Sequence, residues 1–175
     1  MSFMEYVKSG GVIMEVLIAM NTVGIALMLF KAVQFWLYDR QRQRHAREIF
    51  GNFEAAGIRE KETMLVLVKE LLQTHLRPLE KGLPTVKIIA STATLFGLLG
   101  TVIGILMAFE SIAKAGMGDP TAFAGGVSMA LVTTVGGLIV AIIHTVGYNY
   151  LVALLDDLEA RLEAELLKRL YGKAQ

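Results

Sequence analysis

The chain of 175 residues contains no cysteine. That excludes a disulfide scaffold and any thiolate-ligated metal centre. Charge is scarce as well: 19% of the residues are Asp, Glu, Lys or Arg, against roughly a quarter in an average soluble domain. The scarcity is local. The 22 residues between Lys87 and Glu110 are uncharged, and the 36 between Asp119 and Asp156 include no Asp, Glu, Lys or Arg. Both runs exceed the ~18–20 apolar residues that cross a hydrocarbon core, which disfavours an ordinary soluble enzyme. The sequence also lacks a phosphate-binding glycine loop, a zinc-binding helix motif and an arguable serine–histidine–aspartate arrangement. Its histidines, His45, His75 and His144, lie at the two ends of a charged segment and in an apolar run. That spread argues against a shared metal site. No enzymatic activity, cofactor or metal is therefore expected.

What is present is apolar, 54% of the chain, and it falls into three stretches. The first runs from Gly11 to Tyr38, interrupted only by Glu15 and Lys31. Its cleanest part, Val16 to Phe30, is 15 residues long. Lys31 as a snorkelling end residue and Phe35, Trp36 and Tyr38 as an interfacial belt complete a crossing. A cleaved signal peptide would begin with basic residues and end at small ones. Here the start reads Met1-Ser2-Phe3-Met4-Glu5, and Arg40, Arg42, Arg44 and Arg47 follow the aromatics, so the segment reads as a retained membrane helix. The second span runs from about Lys87 to Ala113 and the third from Thr121 to Leu155. Between them, Lys114 to Pro120, with Gly116 and Gly118, reads as a tight turn. As a helix the 36-residue third run would be ~54 Å long, against a core of ~30 Å, so it should project past the bilayer into the tail.

The basic residues orient these spans. Residues 39–87 hold 10 of the 17 Lys and Arg, and residues 156–175 hold 4 more. The positive-inside rule places both segments in the cytoplasm, with the N-terminus and the Lys114–Pro120 turn on the opposite side. The expected organisation is residues 1–38 as N-terminus and first span, 39–86 as a cytoplasmic helical segment, 87–155 as the paired second and third spans, and 156–175 as a cytoplasmic helix. In the charged segment, Met64, Leu65, Leu67, Val68, Leu71, Leu72 and Leu76 recur at helical steps, with Gly82 and Pro84 marking the end. Leu158, Leu162, Leu166, Leu167 and Leu170 repeat the pattern in the tail. The arginines at 40–47 read as a topology determinant touching lipid headgroups rather than as a nucleic-acid patch.

The second and third spans carry small residues in helical register. Ala93, Gly97, Gly100, Gly104 and Ala108 share one face of the second; Gly126, Ala130, Thr133, Gly137, Ala141 and Thr145 are expected to line one side of the third. Small residues let helices approach closely in lipid, where water does not drive association. Thr92, Thr94, Thr101, Thr133, Thr134 and Thr145 add hydroxyls. Each can satisfy itself on the carbonyl four residues back; together on glycine-rich faces they suggest a narrow hydroxyl-walled passage. His144 is an ionisable group in a span and so a functional candidate, near the cytoplasmic end. Neither span has a carboxylate at mid-depth, since Glu110 and Asp119 sit at the outer end. A conducting protein of this composition needs a titrating residue from another chain.

Gly97-Leu98-Leu99-Gly100-Thr101-Val102-Ile103-Gly104 in the second span, and Gly126-Val127-Ser128-Met129-Ala130-Leu131-Val132-Thr133-Thr134-Val135-Gly136-Gly137-Leu138 followed by Tyr148-Asn149 in the third, resemble the MotA/TolQ/ExbB proton channel family. The resemblance covers roughly residues 86–150. Three spans rather than four, with the motif form, bring the chain nearest the ExbB and TolQ branches, as a short ExbB-like member. It implies an all-α integral membrane protein of the bacterial inner membrane, with helices extended into the cytoplasm. It further implies a homopentameric ring around a dimer of single-span partners resembling ExbD or TolR, each bringing the aspartate that carries the proton. The work would be done on a TonB-like periplasmic effector for outer-membrane transport. A TolQ-like or gliding-type motor and a non-conducting scaffold are the alternatives. By resemblance, Thr101 and Thr134 are the pore-facing threonines of the proton path. Thr133, Gly97, Gly100, Gly104 and Gly137 line the pore or pack the helices. Met129 stands where ExbB and TolQ carry a glutamate, and Ile143 where a proline is usual, so no coupling role of that glutamate transfers.

Overall fold

Long apolar runs can satisfy their backbone in lipid only by bonding within the segment, as a helix does. The computed structural model, which describes residues 3–55, 61–115 and 121–172, is helical over nearly all of them. The helices are α1 (Phe3–Ser9), α2 (Gly11–Arg40), α3 (Arg42–Ala55), α4 (Lys61–Glu80), α5 (Leu83–Ala115) and α6 (Thr121–Gly172). Three of them are long and apolar enough to cross a membrane: Gly11–Arg40, Leu83–Lys114 and Phe123–Arg169. The third run continues into the tail as helix, since α6 is a single helix of 52 residues. Lys114 belongs to α5; Gly116, Gly118 and Pro120 of the expected turn lie outside the described residues.

The chain forms two compact units, Met1–Leu27 with Thr85–Tyr148, and Met28–Pro84 with Asn149–Gln175. In the first, Ile13 and Leu17 of α2, Ile89 and Ala93 of α5, and Val140 and Ala141 of α6 form a buried cluster. Met20, Phe96, Ile103 and Met129 pack against it. This core is a thin seam. Leu98, Val102, Leu106 and Phe109 of α5 and Leu131, Val135, Ile142 and Val146 of α6 are all exposed. Contiguous apolar surface on that scale is tolerated only against lipid or other polypeptide.

The second unit follows the leucine stripes of the sequence. α3 and α4 pack on each other. Val68, Leu72, Leu76 and Leu79 of α4 are buried, as are Leu151, Leu155, Leu158, Leu162 and Leu166 of α6. The side chains of Met64, Leu65 and Leu170 lie outside the described residues. α4 stops where expected: Gly82 has φ +93°, a left-handed conformation that only glycine adopts without strain. Pro84 is then the second residue of α5, in the first turn, where a missing N–H has no intrahelical partner to lose.

Lys31 departs from expectation. Its side chain does not snorkel; the residue is 5% exposed. The ammonium donates to Gln34 Oε1 at 2.8 Å and to the Leu79 carbonyl at 3.2 Å. The last carbonyls of a helix lack intrahelical partners, and a cation there also complements the helix dipole. Gly82 leaves room for the lysine stem, since a Cβ there would stand 3.2 Å from Lys31 Cε. The end of α4 thus offers the ammonium a partner within the chain. Lys31→Met keeps the stem and deletes both bonds, and should cost about 1–3 kcal/mol, read as a lowered thermal midpoint in detergent. An unchanged midpoint would remove the ammonium from the stability of this unit.

Candidate functional site

The α5–α6 contact is built from residues too small to hold the helices apart. Ala93, Gly97, Gly100, Gly104 and Ala108 are all buried, as are Gly126, Ala130, Thr133 and Gly137 on α6. Their register is antiparallel. Gly97 faces Gly137, Gly100 faces Thr133, and Gly104 faces Ala130 and Gly126. A Cβ on Gly137 would lie 2.6 Å from the Ala93 carbonyl oxygen and 2.8 Å from Gly97 Cα. A Cβ on Gly126 would overlap the Gly104 carbonyl, and one on Gly100 would overlap the Thr133 hydroxyl. Two helix backbones therefore touch over several turns, with dispersion as the source of attraction.

The threonines follow from this approach. Thr92, Thr101, Thr133 and Thr134 each donate to the carbonyl four residues back, at 2.6, 3.2, 2.8 and 3.0 Å. Such bonds make a hydroxyl affordable in an apolar span. Thr133 is 0% exposed and fills the space left by Gly100, so within this chain it packs helices. Thr101 and Thr134 differ. Their hydroxyl oxygens meet across the helix pair at 2.5 Å, and Thr134 also reaches the Gly97 carbonyl at 3.4 Å. Both are half-buried. Two hydroxyl protons here serve more acceptors than two, so either group can turn a proton or a lone pair outward by rotation alone. The two residues named from the sequence as a proton path are thus brought into one site, while Gly97, Gly100, Gly104 and Gly137 form the contact that brings them together.

His144 is 0% exposed. Its Nδ1 lies 2.8 Å from the Val140 carbonyl; that oxygen can only accept, so Nδ1 carries the proton. Nε2 is buried with no hydrogen-bond partner among the described residues. The ring packs on α2 at Gly24, where any Cβ would overlap it. Along α6 it stands ten residues from Thr134, a rise of ~15 Å. Thr145, expected on the packed face, is exposed. Eighteen residues, about five full helical turns, separate Gly126 from His144, so His144 falls on the buried line and Thr145 lies about 100° round from it.

Sequence position also misled for two histidines. His45 and His75 stand at opposite ends of the charged segment, yet their ring centroids are 5.9 Å apart, because α3 and α4 fold onto each other. The distance argument against a shared ligand set fails for this pair. A pattern of buried positions on both helices is the signal that could have found it.

The α5–α6 geometry makes a paired prediction. Gly137→Ala drives a methyl group into backbone and should destabilise by about 1–3 kcal/mol, seen as a lower thermal midpoint and altered elution in detergent. Gly125→Ala, with nothing within 4 Å of the added Cβ, should be neutral or slightly stabilising. Equal effects of the two would refute the close approach.

Known proteins share this arrangement of sequence. The MotA/TolQ/ExbB proton channel family matches residues 41–164, well beyond the two motif-bearing spans. An ExbB homolog of Methanothermobacter thermautotrophicus, described as a biopolymer transport protein, is 32% identical over 67% of this chain and 41% of its own. The biopolymer transport protein ExbB of Aquifex aeolicus is 43% identical over 43% of this chain and 51% of its own. That of Neisseria gonorrhoeae is 32% identical over 65% and 50%. The matched region spans about half the length of these relatives.

Proposed function

Because the chain belongs to the MotA/TolQ/ExbB proton channel family, we propose that it is an inner-membrane proton-channel subunit whose conducting element is the Thr101–Thr134 hydroxyl pair. The observation that carries this reading is the pair itself, two half-buried hydroxyls in contact across two spans. No Asp, Glu, Lys or Arg occurs from Ile88 to Phe109 or from Thr121 to Leu155. Hydroxyls can pass a proton but cannot hold one as a stable charge near neutral pH. His144, the side chain within these runs that titrates near neutral pH, stands ~15 Å along α6 from the pair. The group that faces the hydroxyls therefore comes from a second polypeptide, and a single-span partner of the ExbD or TolR kind, with an intramembrane aspartate, supplies it. Five copies of this chain around two partner helices would bury the apolar faces of α5 and α6 that a single copy leaves open. The basic segments after α2 and at the end of α6 lie in the cytoplasm in this reading, and the N-terminus in the periplasm. The reaction is transport rather than catalysis. Each elementary charge moved across 100 mV releases about 2.3 kcal/mol, so several protons drive one stroke on a TonB-like effector serving outer-membrane transport.

The test is proton uptake into liposomes holding this chain with its single-span partner. Thr134→Val should reduce flux at least tenfold at unchanged assembly, whereas Thr134→Ser, which restores the hydroxyl, should retain most of it. Undiminished flux in Thr134→Val removes the pair from the path. Flux no greater than that of a partner-aspartate variant would leave a non-conducting scaffold.

A further inference from the structure

We propose that His45, Glu48 and His75 form a binding site for a divalent transition-metal ion of the zinc type, which ties α3 to α4. One ring nitrogen from each histidine and a carboxylate oxygen of Glu48 lie within 4.8 Å of one another. The residues reach this arrangement by simple means. His45 and Glu48 are three apart on α3, the spacing that places side chains on one helical face, and His75 comes from α4, which packs on α3.

Donors around a tetrahedral zinc with bonds of ~2.0–2.1 Å sit ~3.3 Å apart. The three donors stand up to 4.8 Å apart, wider than that spacing, and Glu48, whose side chain is exposed, has the room to close on the ion. Two imidazoles and one carboxylate with an open fourth position suit zinc and related first-row ions, water completing the shell.

A second observation points the same way. His45 Nδ1 is buried with no hydrogen-bond partner among the described residues, and a buried polar atom left unpaired is costly. The His45 ring is stacked on Tyr38 at 4.1 Å between centroids and 3° between planes. Such outer contacts orient a ligand before the ion arrives. Burial, and after it the neighbouring His75, hold His45 below the usual imidazole range. Glu48 is exposed and both histidines are half-buried, which leaves an open side for the ion to enter.

Nearby positive charges are partly engaged elsewhere. Arg42 pairs with Asp39 at 3.7 Å, Arg40 lies over the Trp36 ring at 3.9 Å, and Arg47 donates to the Gln43 carbonyl. Arg44 remains as a cation felt by His45, and Glu48 opposes it. A purely structural account, an edge-on pair of histidine rings 62° apart, uses neither Glu48 nor the unpaired Nδ1.

The experiment uses the full chain in detergent, purified on a histidine-free tag and stripped with a chelator. Cobalt(II) should produce the visible absorption of a tetrahedral site, saturating at one ion per chain, and zinc should displace it. Glu48→Gln and His75→Gln should each weaken binding at least tenfold while leaving the helical circular-dichroism signal unchanged. Zinc should raise the thermal midpoint of the parent protein and not that of His75→Gln. Absence of the tetrahedral band, or equal affinity in parent, Glu48→Gln and His75→Gln, overturns the proposal. Because Glu48 is exposed, its variant decides the matter even where a histidine variant misfolds. The outcome does not depend on proton conduction.

Discussion

Two helix backbones in direct contact are the constraint on which the first unit rests. At Gly97 and Gly137, and again at Gly104 and Gly126, no side-chain atom fits between α5 and α6. The gain in such a contact is dispersion, summed over many atoms at short range. A separation of an ångström forfeits much of it. The same approach fixes the threonines. Thr101 and Thr134 are both short side chains, and their hydroxyls meet only because the backbones beneath them are so close. The glycines and the hydroxyl pair are thus one feature: the first sets the spacing and the second uses it.

Polarity in these spans is introduced without charge. Each threonine in the contact has a carbonyl of its own helix within reach of its hydroxyl, so a hydroxyl adds little desolvation cost, whereas a carboxylate at the same depth would add kilocalories. The result is a helix pair whose apolar runs hold hydroxyls and one imidazole but no Asp, Glu, Lys or Arg. The exposed leucines, isoleucines and valines around it complete the picture. They leave the pair without a cover of its own, and the proposed ring supplies that cover from neighbouring copies.

Much of this was legible in the sequence, and the failures have identifiable causes. The small face of α5 could be read directly, because Ala93, Gly97, Gly100, Gly104 and Ala108 keep to three- and four-residue steps. The register against α6 could not. Two glycine-rich faces slid by a turn would present much the same pattern, and only the fold pairs Gly97 with Gly137. Thr145 leaves the packed face because successive four-residue steps drift by about 40° each. Hydropathy alone places Lys31 at the interface, and nothing in the sequence says that the end of α4 offers it a carbonyl. His45 and His75 are far apart in the chain, so their meeting depends on a helical hairpin rather than on spacing. Family resemblance was visible over the spans but extends from residue 41 to 164. Close packing restricts the spans to few residue types, while charged amphipathic helices accept many and leave no motif to recognise.

The contact of His144 with Gly24 carries a consequence of a different kind. The imidazole occupies the volume that a side chain on α2 would need, so the two positions share a single allowance of space. A methyl or larger group at position 24 is compatible with this packing only if position 144 shrinks, and a residue larger than histidine at 144 has nowhere to expand. The two sites, 120 positions apart in the chain, should therefore change together through evolution, with their summed volume held nearly constant. Such compensation would arise from steric exclusion alone, whether or not the imidazole ever takes up a proton.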